Sequence, residues 1–383
     1  MSRIAIQHRR HGDSGAGDGA AVPGLTFGVE EEFLLLDPAT GATVPRAGRV
    51  LSGLSRLPGG GLVQRELRAT QIEAATGICR DVAELRDQLV EGRRSLRRAA
   101  ARHDAVIAAC GTPVRSGPAV PGSNEGRFAR VDRTYRGMVA DYEACGCHVH
   151  VGVGDAETAV AVVNHLRPWL PTLLAISVNS PFDRGHDTGY GSWRMVQQSR
   201  FPGAGVPPFF SGYAEYSAEV RRLVDCGALV DPWMTFWLAR PSMAFPTVEF
   251  RVADTACSVD EAVLQALLSR ALVHRALTDL DRGREAVRPS DQVAAAALWA
   301  AARDGVGGEG VHPALARRMP ARRILGELLE HVHPVQTESE GDLVRDLVCR
   351  LDRCGTGADR QRRAAATGFP ALITMLTGDG ERV

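Results

Sequence analysis

Glu30, Glu31 and Glu32 stand in a row inside FGVEEEFLLL, residues 27–36, flanked by Phe27, Val29 and the run Phe33 to Leu36. The flanks read as a buried strand, and a carboxylate taken out of water is costly unless it meets a partner. Residues two apart on a strand share a face, so Glu30 and Glu32 point together and Glu31 points away. Two further segments repeat the pattern. CGCHVHVGV, residues 145–153, puts His148 and His150 on one face; TVEFRVAD, residues 247–254, puts Glu249 and Arg251 on one face and Val248 and Phe250 on the other. A fourth segment, QIEAAT, sets Glu73 among apolar neighbours. If these strands lie in one sheet, their polar faces join into a patch of carboxylate, imidazole and guanidinium. A majority of carboxylate ligands favours a hard cation, Mg²⁺ or Mn²⁺, and the arginine then suits a phosphate shared with the metal.

Each piece alone has an ordinary reading: a strand Glu pair is usually a solvated face, and Glu-x-Arg is most often a salt bridge. Cys145, Cys147, His148 and His150 also make a CxCHxH cluster that invites zinc. Zinc sites usually take ligands from two separated pairs, and neighbours on an extended strand point to opposite faces, so Cys147 and His148 do not easily share an ion.

The elements that must position these residues follow from pattern. Residues 1–24 are rich in Gly, Asp, Arg and His without periodicity and read as a disordered tail, with order beginning near Leu25. Asp81 and Glu84 make a capping box, and Val82, Leu85, Leu89 and Leu96 continue at helical spacing, predicting a helix over 81–109. Residues 156–178 read as a buried helix that Pro168 and Pro171 bend or divide. The Gly-, Pro- and aromatic-rich stretch 181–212 reads as a long structured loop, and its part 201–212 is either a closing lid or a rigid surface loop. Ser258 and Glu261 open a helix to about residue 278, Ser290 and Thr337 look like further N-caps, and the last third is nearly all helical. Strands first and helices last make an α+β class, with residues 25–383 as a single domain.

Composition excludes more than it names. The chain of 383 residues has formal net charge zero, which argues against nucleic acid or an anionic membrane as partner. No apolar run reaches the roughly 18–20 residues of a membrane helix, and the N-terminal charge has no apolar stretch behind it, so the expectation is a cytoplasmic protein. The eight scattered cysteines suggest buried small hydrophobes rather than disulfides. No lysine occurs; every basic residue is arginine. Mechanisms that need a lysine, such as a P-loop or a Schiff base, are thereby excluded.

Six ordered motifs then carry a resemblance: FGVEEEFLLLDPATG (27–41), QIEAATGIC (71–79), CGCHVHVGV (145–153), NSPFDRGHDTGYGSWRMVQQSRFPGAGVPP (179–208), RPSMAFPTVEFRVADT (240–255) and GADRQR (357–362). The sequence resembles the carboxylate–amine ligases related to type 2 glutamate–cysteine ligases. The resemblance implies a glutamine synthetase-like fold, a curved antiparallel sheet forming a funnel with helices outside. It implies ATP-dependent amide formation through an acyl phosphate, with Mg²⁺ or Mn²⁺ as cofactor and a small carboxylate and an amine as partners; homo-oligomerisation stays open. Carried over by position, it makes Glu30, Glu32, Glu73, His148 and Glu249 metal ligands, Glu249 and Arg251 catalytic, and Arg251 and His150 contacts to ATP. Arg194, Arg200, Arg240 and Tyr190 would hold substrate. Leu238 and the segment AALWAAARDG (296–305) depart from the family pattern, which loosens the glutamate–cysteine assignment more than the ligase chemistry. A guanido-kinase-type phosphotransferase and a catalytically silent nucleotide binder are the alternatives. Because Glu31 faces away from the cluster, Glu31→Gln is expected to affect turnover only mildly, whereas Glu30→Gln and Glu249→Gln are expected to abolish it.

Overall fold

The strand FGVEEEFLLL is the centre of the molecule. The computed structural model describes residues 25–54, 56–118 and 126–378, so the expected tail at 1–24 lies outside the described residues. Seven strands form one sheet: β1 (Phe27–Leu36), β2 (Leu62–Arg65), β3 (Gln71–Ala75), β4 (Val106–Ala108), β5 (Gly146–Gly152), β6 (Ala239–Pro241) and β7 (Thr247–Asp254). They pair in the order β6-β7-β5-β1-β3-β2, with β4 also on β1, and every pairing is antiparallel. The α+β expectation and the antiparallel sheet are therefore met, and all four polar strand segments read from the sequence lie side by side.

Alternation divides the sheet into two chemically different faces. Phe27, Val29, Cys147, Val149, Val151, Val248 and Phe250 belong to one apolar core, together with Leu85 and Leu89 of α1 (Val82–Ala101), Val162 and Leu166 of α2 (Ala156–Leu166), Leu173 of α3 (Leu170–Ser177) and Val263 of α5 (Val259–Asp281). Farther along the same face, Phe33, Leu35 and Ile72 pack with Leu96 and Ala100 of α1. Each such side chain contributes about 1.5–3 kcal/mol, so the helical layer fixes the sheet from behind; on the other face Leu34 and Leu36 pack with Leu372 and Leu376, and the area around Glu30 and Glu32 is left to the polar residues. Helix α4 (Trp193–Gln198) lies within the stretch expected to be loop.

Local signals account for most helix boundaries. Asp81 caps α1 by accepting from the Glu84 N–H, Ser258 caps α5 by accepting from the Glu261 N–H, and Ser290 and Thr337 cap the helices that follow them. Helix α1 ends at Ala101 rather than 109, because the apolar run after Asp104 pairs with β1 as strand β4. The helix expected over 156–178 is split into α2 and α3, bent by 69° at the prolines. Among the described residues, the last third carries one hairpin, Glu309–His312 with Arg317–Pro320, among its helices. Among the described residues no single helix is long and apolar enough to cross a membrane.

Glu31 points into the apolar layer. The Arg93 guanidinium meets it there with Nε–Oε2 at 3.0 Å and Nη2–Oε1 at 2.5 Å, and also donates to the backbone carbonyls of Ala256 and Cys257. Both side chains are 2% exposed. This pair joins β1, α1 and the start of α5. The alternation that turns Glu31 away from the cluster is as expected, and its replacement carries a cost to stability that the strand pattern did not show, since a buried arginine cannot lose its counter-charge cheaply. Glu31→Gln should lower the free energy of unfolding by about 3 kcal/mol, measured by urea denaturation. An unchanged midpoint would refute the assigned role of this pair.

Candidate active site

The polar face of the sheet is assembled by register. Glu30 lies opposite His148, Glu32 opposite Glu73, Glu249 opposite His150, and Arg240 opposite Glu249. Five segments thus deliver their charged side chains to one area. Glu30 is the hub: its Oε2 is 3.4 Å from His148 Nδ1 and its Oε1 is 3.2 Å from His150 Nε2. The second contact is close but poorly aligned for a hydrogen bond, and His150 Nε2 has no hydrogen-bond partner. Its Nδ1 meets the Thr247 hydroxyl at 3.0 Å, which fixes the ring.

The carboxylates fall into two groups. Glu30, His150 and Glu249 each offer an atom within 4.8 Å of the others, and so do Glu32, Glu66 and Glu73. His148 stands between them, 3.7 Å from Glu32 through Nε2. The expected ligand set is thus divided in two, and His150, expected beside ATP, sits in the first triad. Glu66 was not foreseen. It directly follows β2 and shares a face with Gln64 by period two, the signal that would have found it; Gln64 in turn donates to Glu73 at 2.7 Å.

Arg251 is aimed by an irregularity. Strand β7 carries a bulge between Phe250 and Ala253, opposite His148, and there the Arg251 guanidinium meets Glu249 and approaches His148 Nδ1 at 3.5 Å. Arg240 is in the site, but its donors are committed: Nε and Nη2 to Glu249 at 2.8 and 3.2 Å, and Nη1 to the Thr235 and Trp233 carbonyls. It holds Glu249 rather than presenting a free fork. Arg194 reaches the bulge carbonyl of Arg251 at 3.0 Å. Arg200 pairs with Asp141 at 3.2 Å near the surface, and Tyr190 accepts from Trp299 Nε1 and packs edge-on against Trp193. The stretch 201–212 is anchored, with the Phe210 backbone bonded both ways to Asn164 and the Pro207 carbonyl held by Arg167.

Charge in the site is unevenly satisfied. Burial pushes Glu249 up, but Arg240 and Arg251 outweigh it and hold the carboxyl well below its usual range; Glu30 ends low in the same way, with His150 and His148 outweighing burial. Glu32 goes the other way: burial first, then Glu66, push it up to about 8. Glu73 is raised well above its ordinary value by burial and by Glu30, Glu66 and Glu32. Burial and the Arg251 charge bring His148 down to about 4, while Glu30 overcomes burial and raises His150. The Glu32–Glu66–Glu73 group therefore lacks the positive charge that it would need to ionise fully, and His148 Nε2 and Arg251 Nε are buried without a hydrogen-bond partner. Oxygen-rich groups with unmet charge fit a hard divalent cation. Burial lifts the Cys145 and Cys147 thiols far above their usual range, and among the described residues neither candidate ligand group contains a cysteine. The zinc alternative gains no support.

The match to known proteins decides the family. The family model for glutamate–cysteine ligase family 2 covers residues 26–381. The chain belongs to glutamate–cysteine ligase family 2. A relative from Saccharopolyspora erythraea, provisionally named glutamate–cysteine ligase 2-2, is 54% identical over 366 residues, covering 93% of each chain. Among solved structures, the glutamate–cysteine ligase of Francisella tularensis in complex with AMP superposes with a TM-score of 0.70 at 14% identity, over 93% of this chain and 88% of that one. The ligase PafA, solved in complex with the ubiquitin-like protein Pup, gives a TM-score of 0.54 at 14% identity, over 93% and 73%. At that identity the likeness is of fold, and it gives this family 2 chain the overall architecture of known ligases.

The unmet charge has a measurable consequence. A carboxyl raised in the folded state penalises folding as pH climbs above its unfolded value near 4.5, and the penalty grows until the folded group ionises. Glu73→Gln removes that penalty. Without divalent ion, this variant should be more stable than the parent by more than about 1 kcal/mol at pH 8, with the difference vanishing toward pH 4, in urea melts at both pH values. A parent that is the more stable at pH 8 would mean the group is already neutralised from within.

Proposed function

We propose that the protein is an ATP-dependent ligase that joins a carboxylate to an amine through an acyl phosphate, releasing ADP and phosphate. The observation that carries the reading is the pair of oxygen-rich triads on one sheet face with Arg251 against Glu249 and near His148, the residue between the triads; membership of glutamate–cysteine ligase family 2 and the AMP complex of the Francisella tularensis structure support it. Glu30, His150 and Glu249, and separately Glu32, Glu66 and Glu73, would hold Mg²⁺ or Mn²⁺, which supplies neutralising charge to the triphosphate when bound.

The chain's own groups do the rest. We read the sheet as a funnel whose concave face carries the cluster. Arg251 sits where charge accumulates as the γ-phosphoryl group moves to the substrate carboxylate, and its unpartnered Nε is available for that moment. Arg240 keeps Glu249 from swinging away, so the carboxylate stays ionised and in place. His148, neutral at physiological pH, adds no positive charge, and its buried Nε2 lies 3.7 Å from Glu32. The amine then attacks the activated carbonyl and phosphate leaves. Catalysis of this kind is mostly placement and electrostatics. Residues 25–383 act as one catalytic unit, and ATP supply suits the cytoplasm.

L-Glutamate and L-cysteine are the first substrate pair to test, because relatives carry that name. ADP release should require both, and mass spectrometry should find the amide. ADP release with the acid or amine alone and a phosphorylated product would indicate a phosphotransferase; no turnover across a panel of amino acids and amines would indicate a silent relative. AMP and pyrophosphate as products would overturn the acyl phosphate.

With the right acid, ATP and Mg²⁺, hydroxylamine should be captured as a hydroxamate in place of the amine. Glu249→Gln should lower kcat by at least about 100-fold. A Glu249→Gln variant with parental kcat would remove this residue from the chemistry.

A further inference from the structure

Strand β7 ends in a buried carboxylate that the proposed chemistry does not use. Asp254 is completely buried. Its Oδ2 accepts from the Asn179 N–H at 2.9 Å and the Ser180 hydroxyl at 2.6 Å, and its Oδ1 accepts from the Ser192 hydroxyl at 2.8 Å. Both hydroxyls then reach helix α4. Ser180 Oγ accepts from the Arg194 N–H at 3.0 Å, and Ser192, the N-cap, accepts from the Met195 N–H at 3.2 Å. One carboxylate thus pins the first turn of α4 through two serines.

The helix returns the connection. Arg194, 3% exposed, extends to β7 and donates from Nη2 to the Arg251 carbonyl at 3.0 Å and, more weakly, from Nη1 to the Val252 carbonyl at 3.4 Å, while Nη1 stays 3.8 Å from Asp254. Arg251 and Val252 are the residues of the bulge. Bulged residues lack ladder partners and need their carbonyls satisfied elsewhere; Arg194 does this. Gly146 makes the passage: a Cβ there would sit 2.4 Å from Arg194 Nη2 and 2.9 Å from His148 Nε2.

We propose that Asp254 and Arg194 form a positioning clasp that holds the β7 bulge and so aims Arg251 at Glu249 and His148. The chain runs from β7 through Asp254 to α4 and back through Arg194 to β7, a closed circuit in which neither residue needs to touch substrate. This gives Arg194 a different task from the carboxylate holder that sequence resemblance suggested.

The first test is structural and independent of the reaction. In crystals of Arg194→Gln, the bulge should relax and the Arg251 guanidinium should leave Glu249; Arg251 still paired with Glu249 would overturn the clasp. The second rests on the proposed role of Arg251 at the phosphates and uses AMP-PNP with Mg²⁺ in calorimetry. Arg194→Gln should weaken binding by about 10-fold or more, Arg194→Lys should restore part of it, and Asp254→Asn combined with Arg194→Gln should be no worse than Arg194→Gln alone, since both cut one circuit. Additive losses, or unchanged nucleotide affinity with a raised KM for L-glutamate, would make Arg194 a substrate holder and overturn the proposal. If Asp254→Asn does not fold, Ser192→Ala cuts the same circuit by removing one neutral hydroxyl and leaves the equally buried carboxylate in place. A parent protein that binds no AMP-PNP would fail the nucleotide reading, and the crystal structures would still decide the clasp.

Discussion

Buried carboxylates on one strand set the terms for everything else in this molecule. Glu30, Glu31 and Glu32 are consecutive, so strand geometry must send them to two faces, and each face must answer their charge. On the inner face the answer is internal: Arg93 is fixed to Glu31 and to two carbonyls at the start of α5. On the outer face the answer is incomplete. Glu30 has histidines and Glu249 has arginines, but Glu32, Glu66 and Glu73 mostly face one another. The same problem, solved on one face for stability and left open on the other, separates scaffold from site.

The arginines show how that division is arranged. Arg93 and Arg240 are each bidentate to a glutamate and spend their remaining donors on backbone carbonyls. Arg251 shares Glu249 but keeps Nε without a partner. A planar fork suits both uses, and without lysine the chain has no other permanent cation for either. Whether an arginine is structural or available is decided by how many of its donors are already taken.

Much of this was legible in the sequence because the strands obey period two and their polar residues interrupt apolar runs. That rule placed Glu30, Glu32, His148, His150, Glu249 and Arg251 on the correct faces. It did not state how the strands pair, so it missed the division into two triads, the place of His150 in the first and the commitment of Arg240 to Glu249, all of which follow from register. Glu66 was passed over because LVQRE is too short and too polar to declare itself a strand. The end of α1 was overrun because an apolar run such as AVIAA fits helix and strand alike, and only its pairing with β1 decides. The buried state of Glu31 was foreseeable, but its cost depended on Arg93, which is sixty-two residues away.

The bulge in β7 also constrains chain length. Three residues there span the distance that two cover on β5. Deleting one of them would heal the ladder: Phe250 would still face Val149, Asp254 would still face Gly146, and every backbone group between them could pair. The deleted form would be the more regular sheet. It would also lose the adjacent outward carbonyls that Arg194 grips and the turn that directs Arg251. Selection for a better sheet and selection for a working site therefore pull in opposite directions at this point, and a family member one residue shorter here would be expected to keep the architecture and part with the chemistry.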